Sequence, residues 1–414
     1  MTNNKAKILQ VNVCLNALST GRIAEQIGEE IKNNGWESYV LTCSPVLKSK
    51  SNVIRGTWWI ERFLHRVANR FLDMQGYFSF FQTLYLMKKI KKINPDIIHL
   101  HNIHDCWLNH PLFFRYVIKK GKPVVWTFHD CWAFTGHCSY FDDVNCMKWE
   151  SSCSKCPLKN RYALDLSKYN YRFRKKTFTK IQSMTIVPVS YWLEDITKKS
   201  FLRKYNIQTI HNGIDITKFK PKQSNLREKL GIDNKFVILG VASSWCKSKG
   251  LDDFVALSKK TNWQVILIGI DSELKKTLPK SIICIEKTDS QEQLAEYYSM
   301  ADVFVNPTYH DNFPTVNLEA LACGTPMIGY RTGGSPEAIE LQEKNVSAEN
   351  LCGIIVDKGD IDALKEAIEG IRHESNEKRY QRRLECRKWA ETYFDKNTCY
   401  KQYISLYNKI INNI

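Results

Sequence analysis

NPTYHDNFPTVNLEALACGTPMIGYRTGGSPE, residues 306–337, decides the fold. The run Val303-Phe304-Val305 that leads into it is short, apolar and β-branched enough for a buried strand. A polar loop follows, Tyr309-His310-Asp311-Asn312, and then Pro314, a residue type whose missing N–H is harmless at the first position of a helix. Glu319, Leu321 and Ala322 continue that helix, Gly324 and Pro326 stop it, and Met327-Ile328-Gly329-Tyr330 begins a second strand. Strand, loop, helix and strand make the repeating unit of a parallel α/β sheet. The loop therefore lies at a strand's carboxyl end and leads into a helix N-terminus, where free N–H groups and the helix dipole favour phosphate. Two carboxylates mark the stretch, Asp311 in the loop and Glu319 more than a turn deeper, with seven residues between them. One is placed to meet a sugar beyond the phosphates and the other a ribose.

The rest of the chain bounds the answer. Its 414 residues suit two domains of roughly 200 each. Hydrophobic residues at 43% and charged residues at 25% describe a folded globular protein. No run of 18 apolar residues is present, so no membrane-spanning helix is expected. The leader MTNNKAKILQVNV lacks the apolar core of a signal peptide and points to the cytoplasm. Fourteen cysteines in that setting read as free thiols or metal ligands before disulfides. The net charge of +17 is uneven: residues 1–200 hold 30 Lys and Arg against 15 Asp and Glu, the remainder 30 against 28. A basic first half suits a polyanion such as anionic lipid, a lipid-linked phosphate or nucleic acid.

From Glu319 the stretch reads Glu-Ala-Leu-Ala-Cys-Gly-Thr-Pro, with Asp311 eight positions earlier. This resembles the donor-binding signature of the retaining family-four glycosyltransferases of GT-B fold, in which a Glu takes the place of Asp311. Motifs in the family's order run over nearly the whole chain. The resemblance implies two Rossmann-like α/β domains facing across a cleft. The first, residues 1–204, would bind the acceptor and carry a Cys-rich insertion at 131–157. The second, residues 205–390, would bind the nucleotide-sugar, and a helix at 391–414 would cross back to the first domain. Asn-Gly-Ile-Asp at 212–215 resembles the family's interdomain signature.

It also implies site roles. Ser19, Thr20 and Gly21 stand where relatives carry a glycine-rich loop toward the donor phosphates. An Arg and a Lys six residues later clamp the diphosphate in relatives; Lys249 fits the Lys, while Ser243 occupies the Arg position. Asp311 would bind sugar hydroxyls, Glu319 the ribose, and Asn312, Phe313, Pro314 and Thr315 would offer backbone to sugar and phosphate. His129 matches the His beside the donor sugar. No paired carboxylates of the kind retaining hydrolases use are evident. The implied chemistry is same-face hexosyl transfer from a UDP- or GDP-linked sugar, the leaving diphosphate helping to deprotonate the acceptor while Lys249 and helix N–H groups stabilise charge. No cofactor is required for it.

Three further stretches carry signals. DIIHLHN (96–102) and PVVWTFHD (123–130) read as parallel strands that place His101 and His129 at their carboxyl ends, with His104 just beyond the first. Around residues 55–92, Phe63, Val67 and Phe71 recur at i, i+4, i+8, and Arg62, Arg66 and Arg70 do the same. That is a basic amphipathic helix suited to an anionic membrane surface, with a packing helix that has a wet basic face as the competing reading. Cys138, Cys146, Cys153 and Cys156, the last two as Cys-x-x-Cys, could hold a closed tetrahedral Zn²⁺ that staples a loop of little apolar content. The acceptor that fits a basic, aromatic first domain is a polyprenyl-diphosphate-linked saccharide of surface-polysaccharide assembly, met on the inner face of the membrane. Two other readings are a nucleotide-sugar 2-epimerase of the same architecture and a basic, zinc-containing nucleic-acid binder. The second leaves Asp311 through Pro326 unexplained, so no nucleic acid partner is expected.

Overall fold

The computed structural model describes residues 5–44, 48–56, 58–158, 163–259, 263–341, 346–349 and 351–412. The chain forms two compact units, Met1–His211 with Tyr400–Ile414, and Asn212–Cys399. In the first unit β1 (Lys7–Val11), α1 (Leu18–Asn33), β2 (Glu37–Thr42), β3 (Asn52–Arg55), α2 (Trp59–Leu72), α3 (Phe80–Ile93) and β4 (Ile97–Leu100) come first. They are followed by α4 (His110–Lys120), β5 (Val124–Phe128), α5 (Ser167–Phe178), β6 (Met184–Pro188), α6 (Tyr191–Lys199) and β7 (Asn206–Ile207). All strands pair in parallel, in the order β3-β2-β1-β4-β5-β6-β7. The order reverses between β1 and β4, which leaves a crevice at their carboxyl ends. β4, β5 and β6 are buried along their whole length, as strands covered on both faces must be. Helix ends follow local chemistry: Asn109 caps α4 by accepting from Leu112 N–H, and Gly121, at φ +60°, ends it.

The second unit repeats the plan. It holds α7 (Leu226–Leu230), β8 (Phe236–Val241), α8 (Leu251–Leu257), β9 (Trp263–Ile268), α9 (Ser272–Lys275), β10 (Ile282–Ile285), α10 (Gln291–Met300), β11 (Val303–Asn306), α11 (Thr315–Ala322) and β12 (Met327–Tyr330). After these come β13 (Glu340–Leu341), β14 (Val346–Ser347), β15 (Gly353–Val356), α12 (Ile361–Arg372), α13 (Asn376–Tyr393) and the start of α14 (Lys396–Asn412), which from Tyr400 onward belongs to the first unit. The parallel order is β10-β9-β8-β11-β12-β15, reversing between β8 and β11. Ile238, Leu267, Val303, Val305, Ile328 and Leu364 are among the buried side chains that join this sheet to its helices. Both sheets are of the doubly wound α/β type expected.

Two local details differ from the sequence reading. Pro314 sits at φ −71°, ψ 116°, as the cap of α11, and the helix begins one residue later. The C-terminal helical stretch is two helices, because Asp395 Oδ1 accepts from Asn397 N–H at 3.2 Å and caps α14. At the break Ile214 N–H donates to Phe394 O at 2.7 Å and Lys396 N–H to Ile214 O at 3.0 Å. Beyond Tyr400, α14 belongs to the first unit and brings hydroxyls to its sheet. Tyr403 bonds Thr127 Oγ1 at 2.9 Å and Tyr407 bonds His99 Nδ1 at 2.6 Å, while His99 Nε2 bonds Thr127 at 2.8 Å. These buried polar groups satisfy one another, as burial requires.

Candidate active site

The β8/β11 reversal brings together two loops that are far apart in sequence. Residues 242–250 leave β8 and residues 307–314 leave β11. Tyr309 N–H donates to Ser248 O at 2.8 Å, and Thr308 Oγ1 donates to the same carbonyl at 3.3 Å. The approach is close enough to need glycine at Gly250: at φ +74°, an added Cβ would lie 2.4 Å from Pro307 O. This zip places Lys249 Nζ 2.8 Å from Asp311 Oδ2, with side chains 29% and 19% exposed. Gly333, at φ +53°, packs beneath Asp311, where a Cβ would meet its carbonyl oxygen at 1.7 Å.

Behind the loop stands a buried polar frame. Asn306 Nδ2 donates to Asn317 Oδ1 at 2.8 Å, and Asn317 Nδ2 to Ser335 Oγ at 3.1 Å, so the end of β11 is tied to α11 and to the loop after β12. Glu319 is 5% exposed, and its Oε2 accepts from Tyr298 OH at 2.9 Å. Tyr298 is itself fixed by Thr325 Oγ1, which donates to its carbonyl at 2.7 Å. Among the described residues no side chain caps α11, so the helix presents its positive end beside the loop that holds Asn312, Phe313, Pro314 and Thr315. Asn312 and Phe313 are buried, and Ser243 is exposed in the loop after β8. One cation, one anion and a helix N-terminus thus gather at the sheet's reversal point, an arrangement suited to a phosphate-bearing ligand with hydroxyls.

The first unit carries its own constellation at its own reversal. Gln10 on β1 donates through Nε2 to Ala24 O at 2.9 Å, which turns its Oε1 toward His101 Nε2, 3.0 Å away. His101 must then donate from Nε2, and its Nδ1 accepts from His129 Nε2–H at 3.1 Å. The two rings stack with centroids 5.4 Å apart. Burial pulls His101 well below its ordinary pKa and His129 down to about 4, although Asp130 pulls His129 the other way. Both imidazoles are therefore neutral near pH 7. Burial pushes the Asp130 carboxyl up, but His104 at 2.9 Å and the Trp132 N–H at 2.9 Å outweigh that and hold it low. Gly21 lies inside the first turn of α1, buried against Cys14, whose Sγ would be 3.0 Å from an added Cβ. The structure thus joins Lys249 with Asp311 and His129 with His101. Sequence reading missed Tyr298 and Gln10; it had placed His101 at the carboxyl end of β4, where the structure has it.

Two features lie apart from these loops. On α2, His65 and Ala68 are buried, His65 bonding Ser79 Oγ at 2.9 Å and accepting from Gly76 N–H at 2.7 Å. The apolar stripe of the same helix faces outward: Trp59 is 73% exposed, Phe63 59% and Phe71 57%. Phe80 and Phe81 at the start of α3 are exposed too, as are Arg66 and Arg70. The packing-helix reading therefore accounts only for the face that carries His65 and Ala68. In the segment after β5, Cys138, Cys146, Cys153 and Cys156 all line one small cavity. Beside it Asp73, His137 and Asp165 bring one oxygen or nitrogen each within 4.8 Å of one another. They act as a hydrogen-bonded clasp: His137 Nδ1 and Leu166 N–H share Asp73 Oδ2 at 2.8 and 3.0 Å, and Cys156 N–H and Ser167 N–H bond Asp165 at 2.8 and 3.0 Å.

Comparison with known proteins places the chain in a family. The model described as Glycosyltransferase Family 4 matches residues 20–218, and that described as Glycosyl transferases group 1 matches residues 222–389. The putative colanic acid biosynthesis glycosyl transferase WcaC of Escherichia coli is 25% identical over 321 residues, covering 70% of this chain and 72% of that protein. Sucrose-phosphate synthase from Thermosynechococcus elongatus superposes with a TM-score of 0.74 at 19% identity, over 99% of this chain and 100% of that one. Anabaena HepE in complex with UDP-glucose superposes with a TM-score of 0.66 at 15% identity, over 97% and 99%.

Proposed function

We propose, from the premise that this chain belongs to the family-four glycosyltransferases of GT-B fold, that it moves a hexosyl group from a nucleotide-diphosphate sugar onto a lipid-linked saccharide, with retention of anomeric configuration. The product would serve a cell-surface polysaccharide such as capsule, exopolysaccharide or O-antigen. The observation that carries the reading is the Lys249–Asp311 pair, 2.8 Å apart at the β8/β11 reversal and beside the N-terminus of α11. Lys249 would take the diphosphate as a point charge, and the first-turn N–H groups of α11 would share it. Asp311 would exchange its ammonium partner for sugar hydroxyls. Glu319, held in one rotamer by Tyr298, would accept from the ribose. With Ser243 in place of an Arg, the diphosphate relies on Lys249 and backbone donors, which makes Lys249 more important here than a clamp of two cations would. His129 would offer a neutral imidazole to a sugar hydroxyl, its tautomer set by Gln10 through His101.

The likeness to WcaC, named for colanic acid biosynthesis, supports the polysaccharide context, and the complex of HepE with UDP-glucose supports a nucleotide-sugar donor. The exposed Trp59, Phe63, Phe71 and Phe81 among Arg62, Arg66 and Arg70 support a seat on the anionic inner face of a membrane, where a polyprenyl-diphosphate acceptor would be met. Among the described residues no helix is long and apolar enough to cross one. The test is transfer of labelled sugar from UDP- or GDP-hexoses to polyprenyl-linked saccharide extracted from membranes, with the anomeric coupling of the product read by NMR. An α-donor should give an α-product; an inverted product would refute retention, and free sugar or a 2-epimer as sole product would refute transfer.

A further inference from the structure

Among its described residues, the segment between β5 and α5 has no long helix or strand to hold it. Their regular structure is short turns at Trp132–Phe134, Asp142–Val144 and Lys148–Glu150. Yet Cys138, Cys146, Cys153 and Cys156 converge on a cavity of about 20 Å³, room for one water-sized guest. All four are thiols and none is in a disulfide. We infer that these four cysteines bind one structural Zn²⁺ as a closed, tetrahedral four-thiolate site that takes no part in sugar transfer.

The loops that carry the thiols are held in place around the cavity, although the ligand atoms that the described residues bring within 4.8 Å of one another are those of Asp73, His137 and Asp165 and not the four sulfurs, so Zn²⁺ would draw the sulfurs together. Lys155, inside the Cys153-x-x-Cys156 turn, lies at φ +45°, a left-handed conformation that a lysine seldom adopts. Lys148 Nζ holds that turn by donating to Ser154 O at 3.1 Å and Lys155 O at 2.8 Å. Asn145, just before Cys146, is left-handed as well, and Thr135 Oγ1 fixes Cys138 by donating to its carbonyl at 2.6 Å. Strained turns that aim thiols into one space persist only when something over-determines them. The walls are Phe141 and Trp149, stacked 5.2 Å apart, so the thiols face an apolar pocket with few competing donors.

One buried cation stands near the thiols. Four thiolates on Zn²⁺ carry two negative charges. Arg174, 2% exposed, is close enough to interact with both Cys138 and Cys153. It is anchored by donating to Trp132 O at 2.7 Å and Thr135 O at 2.9 Å. Among the described residues the buried indole N–H of Trp149 has no hydrogen-bond partner, and a thiolate is an acceptor it could use. His137 Nε2 lies 3.1 Å from Cys156 Sγ while its Nδ1 lies 2.8 Å from Asp73 Oδ2. Asp73 thus orients an imidazole that meets the Cys156 sulfur, an outer-shell hydrogen bond to a ligand. Asp73 is the residue that ends α2, so the metal would also fix the end of the exposed amphipathic helix. Binding would release up to four thiol protons as four Zn–S bonds form.

The test is metal content of the purified full chain by mass spectrometry, with Co²⁺ replacement to report the ligands. Wild type should hold about one zinc per chain through dialysis. Its cobalt form should show thiolate charge-transfer bands with tetrahedral d–d bands for four sulfurs. Cys153→Ser/Cys156→Ser should lose the metal and Cys246→Ser, an exposed cysteine elsewhere, should keep it. His137→Asn should keep one metal per chain with affinity lowered about ten- to a hundredfold. Cooperatively folding wild-type protein with well under one zinc, or the double variant retaining it, would overturn the inference. A cobalt spectrum of three sulfurs and an imidazole would overturn the four-thiolate assignment.

Discussion

Replacing Asp311 with Asn should tighten binding of the bare nucleoside diphosphate while slowing sugar transfer. In the free protein Lys249 Nζ is 2.8 Å from Asp311 Oδ2, so the cation meant for phosphate is already engaged. A diphosphate oxygen on the same ammonium would sit about 4.6 Å from the carboxylate oxygen if both are held at hydrogen-bond distance. One pair of like charges at that separation costs about 0.9 kcal/mol even at the dielectric of water. Freeing Lys249 adds up to about 1 kcal/mol, the scale of a partly exposed ion pair. The asparagine protein should therefore bind whichever of UDP and GDP the wild type prefers about five- to thirtyfold more tightly. Turnover should fall, since the carboxylate that would hold the sugar is gone. Calorimetric titration of both proteins at low salt decides it. Unchanged or weaker nucleotide binding by Asp311→Asn would refute the reasoning that Asp311 faces the phosphate site through Lys249.

Tyr298→Phe should cost about 1.5–3 kcal/mol, because it strips a buried hydrogen bond from a carboxylate, and thermal melting should show a drop of several degrees; an unchanged melt would mean that Glu319 does not depend on Tyr298. Acid should destabilise the first unit: burial lowers His65 and His129 to about 4 and His99 and His110 to about 3. Below about pH 6.5 the unfolded chain takes up protons that the folded chain refuses, so stability falls as pH drops toward 4, by up to about 1.4 kcal/mol per pH unit for each such His. Urea midpoints that are equal at pH 7 and pH 5 would contradict this. Phe63→Ser/Phe71→Ser should lower partition onto phosphatidylglycerol vesicles more than tenfold, and Arg62→Gln/Arg66→Gln by about 1 kcal/mol per charge; wild-type protein that fails to sediment with those vesicles would remove the membrane seat.

What could be read beforehand was what is local. The strand, loop and helix of residues 303–330 announce themselves through β-branched runs, Pro314, and the Gly324 and Pro326 stops, all within a few residues of the structure they set. Lys249 and Asp311 were each legible as members of motifs. Their ion pair was not, because it joins residues 62 apart through the pairing of β8 with β11, which only the strand order creates. The same holds for Gln10 with His101, 91 residues apart, and for Tyr298 with Glu319, which meet across two helices. The periodicity of α2 gave the helix and both stripes. It could not say which face turns inward, since that depends on what else packs there: His65 and Ala68 are buried, while Phe63 and Phe71 as well as Arg66 and Arg70 are exposed. The break at Asp395 escaped notice because a cap of one Asp inside a long polar-apolar repeat is a weak signal until the backbone bonds of Ile214 fix it.

The most direct test of the account is calorimetric titration of the purified wild-type chain and its Lys249→Ala variant with UDP and, separately, GDP. The account predicts micromolar binding of one nucleotide by the wild type and its loss in the variant. Binding that survives Lys249→Ala undiminished would contradict the placement of the donor diphosphate at the β8/β11 reversal.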